Sequence, residues 1–194
     1  MARTKEFDEN QVLEKAIELF WVKGYNATSA QDLVDGLGIS RSSLYDTYSD
    51  KRALFINALK AYKEKNIARL ARLAADYDDA AKTIRVILQL AIRDNMEGKK
   101  HKGCFIVNST VEMALQDREI AAIVSKHMQE VEDIFYTLIK KGQDSGQFTD
   151  AYSARSLARF VFNNLSGISV AGKFSIDKKA IDDVVKLILS TLIK

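Results

Sequence analysis

The chain has no proline, one cysteine and two histidines among its 194 residues. Proline fixes φ, interrupts helices and punctuates loops and edge strands. Its absence, with nine glycines and long unbroken periodic stretches, points to an all-helical protein. A single cysteine excludes an intramolecular disulfide and fits a reducing compartment. Positions 101, 104 and 127, which hold the histidines and the cysteine, lack the spacing of a metal site, so no metal is expected. A glycine-rich phosphate loop is missing, and so is any Ser/Cys–His pairing at a suggestive spacing. Those absences speak against an enzyme and against a cofactor. No segment reaches the roughly 18 uninterrupted apolar residues of a membrane helix, and the start "MARTKEFDEN" lacks the apolar run of a signal peptide. A soluble, cytoplasmic chain without a membrane partner is expected.

A strong charge of one sign is missing too. Net charge is +3, and residues 1–52 carry seven Lys/Arg against nine Asp/Glu, a balance of −2. If nucleic acid is the partner, placement of charge has to do what quantity does not. The length suffices for one large domain or two small ones with ample core.

What the sequence does contain is helical periodicity with clear starts. Asp8 stands as an N-cap, with Gln11 as its capping-box partner and Phe7 and Val12 as a hydrophobic staple. An apolar face from Val12 to Phe20 follows, and Gly24 after Lys23 is a natural stop. Thr28 with Gln31 reads as the capping box of a short helix over 29–36, and Gly38 supplies a permissive turn. Ser40 caps a helix over 41–47, and Ser49 caps a long one to about position 75. Further helices are expected over 79–96, 104–115, 118–142, 152–171 and 177–193. The chain divides into short N-terminal helices, 1–50, and a larger helical part, 51–194, joined by the fourth helix.

The stretch "LGISRSSLYDTYSDKRALF", residues 37–55, is the informative one. Short helix, glycine turn, short helix is the helix-turn-helix arrangement, whose second helix enters the major groove. With Leu44 inward and about 100° per residue, Tyr48 packs beside it, while Ser42 and Asp46 point outward between Ser43 and Tyr45. Small polar residues let a helix approach base edges, and Arg41 at the exposed end has the donors to bond two acceptors of a guanine. Tyr45 and Ser43 are placed to donate to phosphates, and Thr28 and Lys51 lie at helix N-termini that favour an anion. Asp46 is awkward beside phosphate unless it accepts from a cytosine amino group or positions Arg41 or Arg52. The alternative, that these are ordinary caps and turns, stands beside this reading. So does a helical adaptor that uses the same helices for protein contact.

Residues 28–59, "TSAQDLVDGLGISRSSLYDTYSDKRALFINAL", resemble the DNA-binding signature of the TetR (tetracycline-repressor-like) family of transcriptional regulators. The match runs through Thr28, Gly38-Ile39, Leu44-Tyr45, Tyr48, Lys51 and Leu54-Phe55. The resemblance implies a homodimeric repressor on a pseudo-palindromic operator, with a C-terminal domain that binds a small inducer. By matching position, Thr28, Tyr45 and Lys51 take phosphate contacts, and Arg41, Ser42, Ser43 and Thr47 face bases or backbone. Asp46 replaces what is often a larger aromatic or histidine, so the operator sequence does not carry over.

In the C-terminal part, Val184, Val185, Ile188 and Leu192 form one stripe, and Leu157, Val161, Leu165 and Ile168 another. The resemblance makes these two helices the dimer interface; a monomer core is the alternative. His127, within a core stripe, reads as a satisfied interior or boundary histidine rather than a ligand. Cys104 follows Gly103 at a helix start after Lys99, Lys100, His101 and Lys102, surroundings that favour a thiolate if the sulfur is partly exposed. The segment "KGCFIVNSTVEMA" resembles one in a branch of the family where the cysteine senses electrophiles or oxidants. A buried structural or pocket-lining cysteine is the competing reading. Tyr62, Phe105, Met113, Met128, Phe135 and Phe160 are candidate pocket-liners for an apolar or aromatic inducer, indistinguishable in sequence from ordinary core. Ligand binding or Cys104 modification would shift the population away from the operator-bound geometry, with the fourth helix as lever.

Overall fold

Side-chain caps set most of the helix starts in the computed structural model, which describes residues 7–76, 78–96, 101–173 and 177–194. Among these residues the chain is all helix: α1 (Glu9–Lys23), α2 (Ala30–Leu37), α3 (Arg41–Tyr48), α4 (Lys51–Asp76), α5 (Ala80–Met96), α6 (Phe105–Met113), α7 (Arg118–Asp144), α8 (Ala154–Ala171) and α9 (Lys178–Leu192). Asp8 accepts from the amides of Asn10 and Gln11, and α1 ends at Gly24, whose N–H donates to the Phe20 carbonyl. Ser40, Asp117, Ser153 and Asp177 cap α3, α7, α8 and α9 in the same way.

Two caps differ from expectation by one residue each. The cap of α2 is Ser29 rather than Thr28: Ser29 accepts from the Asp32 amide, and the Asp32 carboxylate returns to the Ser29 amide at 2.8 Å. Thr28 instead turns inward, and its hydroxyl donates to the Gly24 carbonyl at 2.6 Å. Ser49 closes α3 in a left-handed conformation, φ 63°, and leaves the start of α4 to Asp50, whose carboxylate accepts from the Ala53 amide at 2.7 Å.

Two apolar cores organise the chain. The first gathers Phe20 of α1, Leu33 and Leu37 of α2, and Leu44 and Tyr48 of α3 around Leu54, Phe55 and Leu59 of α4, then continues onto Phe105 of α6 and Ile120 of α7. A boundary at 50/51 falls between α3 and α4, and this core runs across it. The second core joins α5, the later turns of α7, α8 and α9. Helices α4 and α7 each contribute to both: Leu54 and Ile120 sit in the first, Leu70 packs on the second, and Phe135 lies within it. They are the rods that connect the cores.

The second core corrects the expected partner-facing rows. Leu157, Val161, Ile168, Val185, Ile188 and Leu192 are buried within the chain itself, and Leu165 packs half-buried against them. Of the eight residues expected at a dimer face, only Val184 reaches the surface. A stripe at helical spacing marks the face a helix buries, and here that face belongs to the chain's own bundle. Packing is close where α7 meets the following loop: a Cβ on Gly142 would collide with the ring of Phe148, whose side chain is fully buried.

Candidate nucleic-acid interface and the cavity behind it

Helix α2 presents its apolar side to α1 and stops at Gly38, which takes the left-handed conformation, φ 70°, open to glycine at no steric cost. The turn aims α3 across α2 with Leu44 and Tyr48 buried beneath it. Arg41, Ser42 and Asp46 are exposed, and Ser43, Tyr45 and Thr47 are half-buried beside them. The outward face is the one the helical wheel assigned. Arg41 rests near the Tyr45 ring, its guanidinium carbon 5.9 Å from the ring centre. The Ser42 and Ser43 hydroxyls gather on Ser40 Oγ at 3.0 and 2.9 Å.

Two residues expected at phosphates are used elsewhere. Thr28 is buried at 1% exposure. Lys51 Nζ donates to the Tyr25 and Thr28 carbonyls at 2.9 and 2.8 Å and lies 4.3 Å from the Tyr25 ring centre. An ammonium has three donors, so one remains for an outside acceptor. Arg52 is engaged by the bundle: its guanidinium clamps Asp117 at 2.5 and 3.0 Å and Glu119 at 3.1 Å. That guanidinium, with help from two backbone amides, holds the Asp117 carboxyl down at about 2.

The acidic balance of the N-terminal helices is resolved by placement. Glu14 pairs with Lys65, Glu18 with Lys102, and Asp32 with Lys23. The two glutamates lie on α1 and pair with bundle lysines, and α3 exposes one arginine, Arg41, and one aspartate, Asp46.

Behind the head lies a cavity of about 310 Å³, lined by residues of both cores. Ile17 and Trp21 of α1 form one wall; Tyr62 and Leu70 of α4, Ile87 of α5, and Met128 and Val131 of α7 contribute to the others. Trp21 is fixed by donation from Nε1 to the Gly103 carbonyl at 3.1 Å and by an edge-to-face contact with Tyr62, ring centres 5.0 Å apart. Of the pocket-liners expected from sequence, Tyr62 and Met128 line it; Phe105, Met113, Phe135 and Phe160 do not. Phe105 sits one layer back, edge-on to Tyr62 at 5.5 Å and to Phe55 at 5.7 Å. Met113 belongs to the first core, Phe135 to the second, and Phe160 is on the surface.

Cys104 lines the cavity, with Sγ 3.9 Å from the Tyr62 hydroxyl. Desolvation pushes its thiol up despite the amides of Val107 and Ile106, which disfavours the thiolate. Of the cations expected to favour one, Lys102 faces Glu18 and the Trp21 ring, and Lys99 and Lys100 lie outside the described residues. Burial also raises the Tyr62 phenol. His127 lines the same cavity, but it is not the satisfied interior histidine expected: its Nδ1 is buried and has no hydrogen-bond partner. Desolvation, reinforced by the nearby Lys63 ammonium, drops it to about 4, and it is neutral at pH 7.

Sequence reasoning missed the ties between head and bundle. The Glu112 carboxylate on α6 accepts from the Tyr25 and Asn26 amides at 3.0 and 2.7 Å, and Asp117 receives Arg52. Asp117 before "REI" carried a readable N-cap signal; Glu112 carried none.

This geometry defines a helix-turn-helix protein with a helical bundle behind its reading head. The family model "Bacterial regulatory proteins, tetR family" matches residues 12–58, and "Tetracyclin repressor-like, C-terminal domain" matches residues 84–188. An uncharacterized HTH-type transcriptional regulator of Bacillus subtilis (strain 168), YezE, is 37% identical over 194 residues, covering 99% of this chain and 100% of its own. The HTH-type transcriptional repressor ComR of Escherichia coli (strain K12) is 27% identical over 173 residues, 88% of this chain and 82% of its own. In fold, the chain superposes with TM-score 0.87 on the TetR family regulator CifR, a cysteine mutant complexed with 26-base-pair operator DNA. There the identity is 22% and the coverage 98% and 100%. The chain belongs to the TetR family: it is a DNA-binding transcriptional regulator and not an enzyme.

Proposed function

We propose that this regulator is a repressor that reads a pseudo-palindromic operator as a homodimer and releases it when a small molecule enters the cavity behind the reading head. One observation carries the reading: the cavity wall is built from α1 of the head on one side and from the bundle on the other. Anything that fills it bears on Trp21 and Ile17 and therefore on the position of α1 relative to α4 and α7. Helix α4 couples the two ends, since its first turns are buried in the head core and its later turns line the cavity. The tethers from Glu112 and Arg52 set the operator-competent geometry, and a ligand acts by favouring another.

On DNA, α3 occupies the major groove with Arg41 and Ser42 toward base edges. Ser43, Tyr45 and Thr47, with the remaining donor of Lys51, reach the backbone. Thr28 contributes by fixing the Gly24–Ser29 turn from within. Twofold half-sites need two heads, and the surface for pairing is on α8 and α9, where Phe160, Val170, Val184 and Leu187 are exposed and Gly167 has open space above it. Modification of Cys104 is the second reading, favoured by its place on the cavity wall. The raised thiol makes an adduct depend on a reagent that first binds there.

The test is fluorescence anisotropy of the protein with its own upstream intergenic DNA and a shuffled control across a salt series. Tight, salt-sensitive binding to the genuine fragment alone supports the reading, and Arg41→Ala then removes the discrimination. Equal binding to both fragments contradicts it.

A further inference from the structure

The cavity wall states which charges it tolerates. Five ionised side chains line it, Glu14, Glu18, Lys65, Arg69 and Asp94, and every one is engaged in an ion pair. Lys65 Nζ holds both Glu14 oxygens at 2.9 and 3.1 Å, bridging α4 to α1. Arg69 grips Asp94 at 2.5 and 3.4 Å, bridging α4 to α5, and Glu18 receives Lys102 at 2.6 Å. A charged guest finds no spare counter-ion among these groups. Breaking one of these solvent-exposed pairs costs little, but a charge seated deeper against the neutral wall would be desolvated unpaired, which is costly.

The other polar groups on the wall are uncharged. Ser169 already donates to the Leu165 carbonyl, and the Trp21 N–H is spent on Gly103. What remains is His127, 4% exposed and neutral, with an unpartnered ring nitrogen, the weak Tyr62–Cys104 pair, and the half-buried Asn66 amide and Ser166 hydroxyl. An imidazole offers one donor and one acceptor. Around these groups the surface is aromatic and aliphatic, with Trp21, Tyr62, Phe162, Leu70, Ile87 and Met128 contributing.

We propose that the cavity takes an uncharged, compact, largely apolar molecule with a hydrogen-bonding group directed to His127, and excludes anions and cations of the same shape. This rests on the cavity being the ligand site. It goes beyond that reading by fixing the charge class and the polar anchor, and the experiment separates the two.

Trp21 is the only tryptophan in the chain, so its emission reports the cavity directly. Adamantanol, adamantane carboxylate and adamantyl ammonium are rigid isosteres too small to leave a charge outside once seated, and they are transparent where tryptophan is excited. Titrating the full-length protein with each at neutral pH should give saturable change with the alcohol, and affinity at least about tenfold weaker for both ions. Asp94→Asn, which frees the Arg69 guanidinium, should raise affinity for the carboxylate by about tenfold. Discrimination below tenfold in the wild-type protein overturns the charge class and leaves the cavity a ligand site. An Asp94→Asn variant that gains nothing for the carboxylate overturns the account of why ions are excluded. If none of the three probes changes Trp21 emission, the cavity is not a ligand site and both readings fall.

Discussion

Replacing His127 by glutamine removes a titrating group from the cavity wall while keeping a polar side chain of similar reach. In the folded protein the imidazole titrates at about 4, against 6.5 when unperturbed, because burial and Lys63 disfavour its charged form. The unfolded chain therefore binds the proton first as pH falls, and stability drops with it. His127 contributes no penalty above its unfolded value; its cost grows through the window from 6.5 down to about 4 and levels off below. At 1.36 kcal/mol per unit, the loss between about pH 7.5 and about pH 5 is about 2 kcal/mol. Urea unfolding followed by Trp21 emission at those two pH values, for wild type and His127→Gln, isolates this loss as a double difference, because the surface ion pairs titrate alike in both proteins. The wild type should lose about 2 kcal/mol more than the variant over that interval. Equal losses would mean that His127 is solvated or paired, since such a histidine costs nothing to charge, and the neutral cavity wall would go with it.

Glu112→Ala leaves the Tyr25 and Asn26 amides to water; it should cost about 1–2 kcal/mol and speed hydrogen exchange at those two amides ahead of the rest of the head. Lys51→Met removes two hydrogen bonds that brace the α1–α2 turn, so it should lower the melting temperature as well as DNA affinity, where a pure phosphate contact would lower affinity alone. Gly142→Ala drives a methyl group into the Phe148 ring and should destabilise the bundle by about 3 kcal/mol, measured by thermal denaturation.

The features readable in advance were those fixed by local chemistry. Asp8, Ser40 and Gly24 act on backbone groups within four residues, so the helix they start or stop is written beside them. The outward face of α3 followed from Leu44 alone, because a helix of fixed pitch needs only one inward residue to orient it. The shift from Thr28 to Ser29 shows the limit of that locality. Both residues are good caps, and the choice turned on Asp32 returning to Ser29 and on a space beneath Gly24 that takes the Thr28 hydroxyl.

Features that depend on distant partners stayed hidden. Lys51 looks like a phosphate ligand until Tyr25 and Thr28 are brought to it from across a turn. The apolar stripes of α8 and α9 are real, but periodicity does not say whether the covering surface is the same chain or a copy. His127 and Phe105 both belong to apolar stretches, and only packing put the first on the cavity wall and the second behind it.

If filling the cavity moves the reading head, a side chain that fills it should act as a ligand does. Ala91 of α5 lines that cavity, and Ala91→Trp would occupy it without any ligand. Operator affinity of this variant, measured by anisotropy on the upstream fragment with its fold checked by circular dichroism, is the most direct measurement. The variant should fold and bind that fragment at least about tenfold more weakly than wild type, a coupling of about 1.4 kcal/mol. A folded Ala91→Trp variant that binds the fragment as tightly as wild type would contradict that coupling.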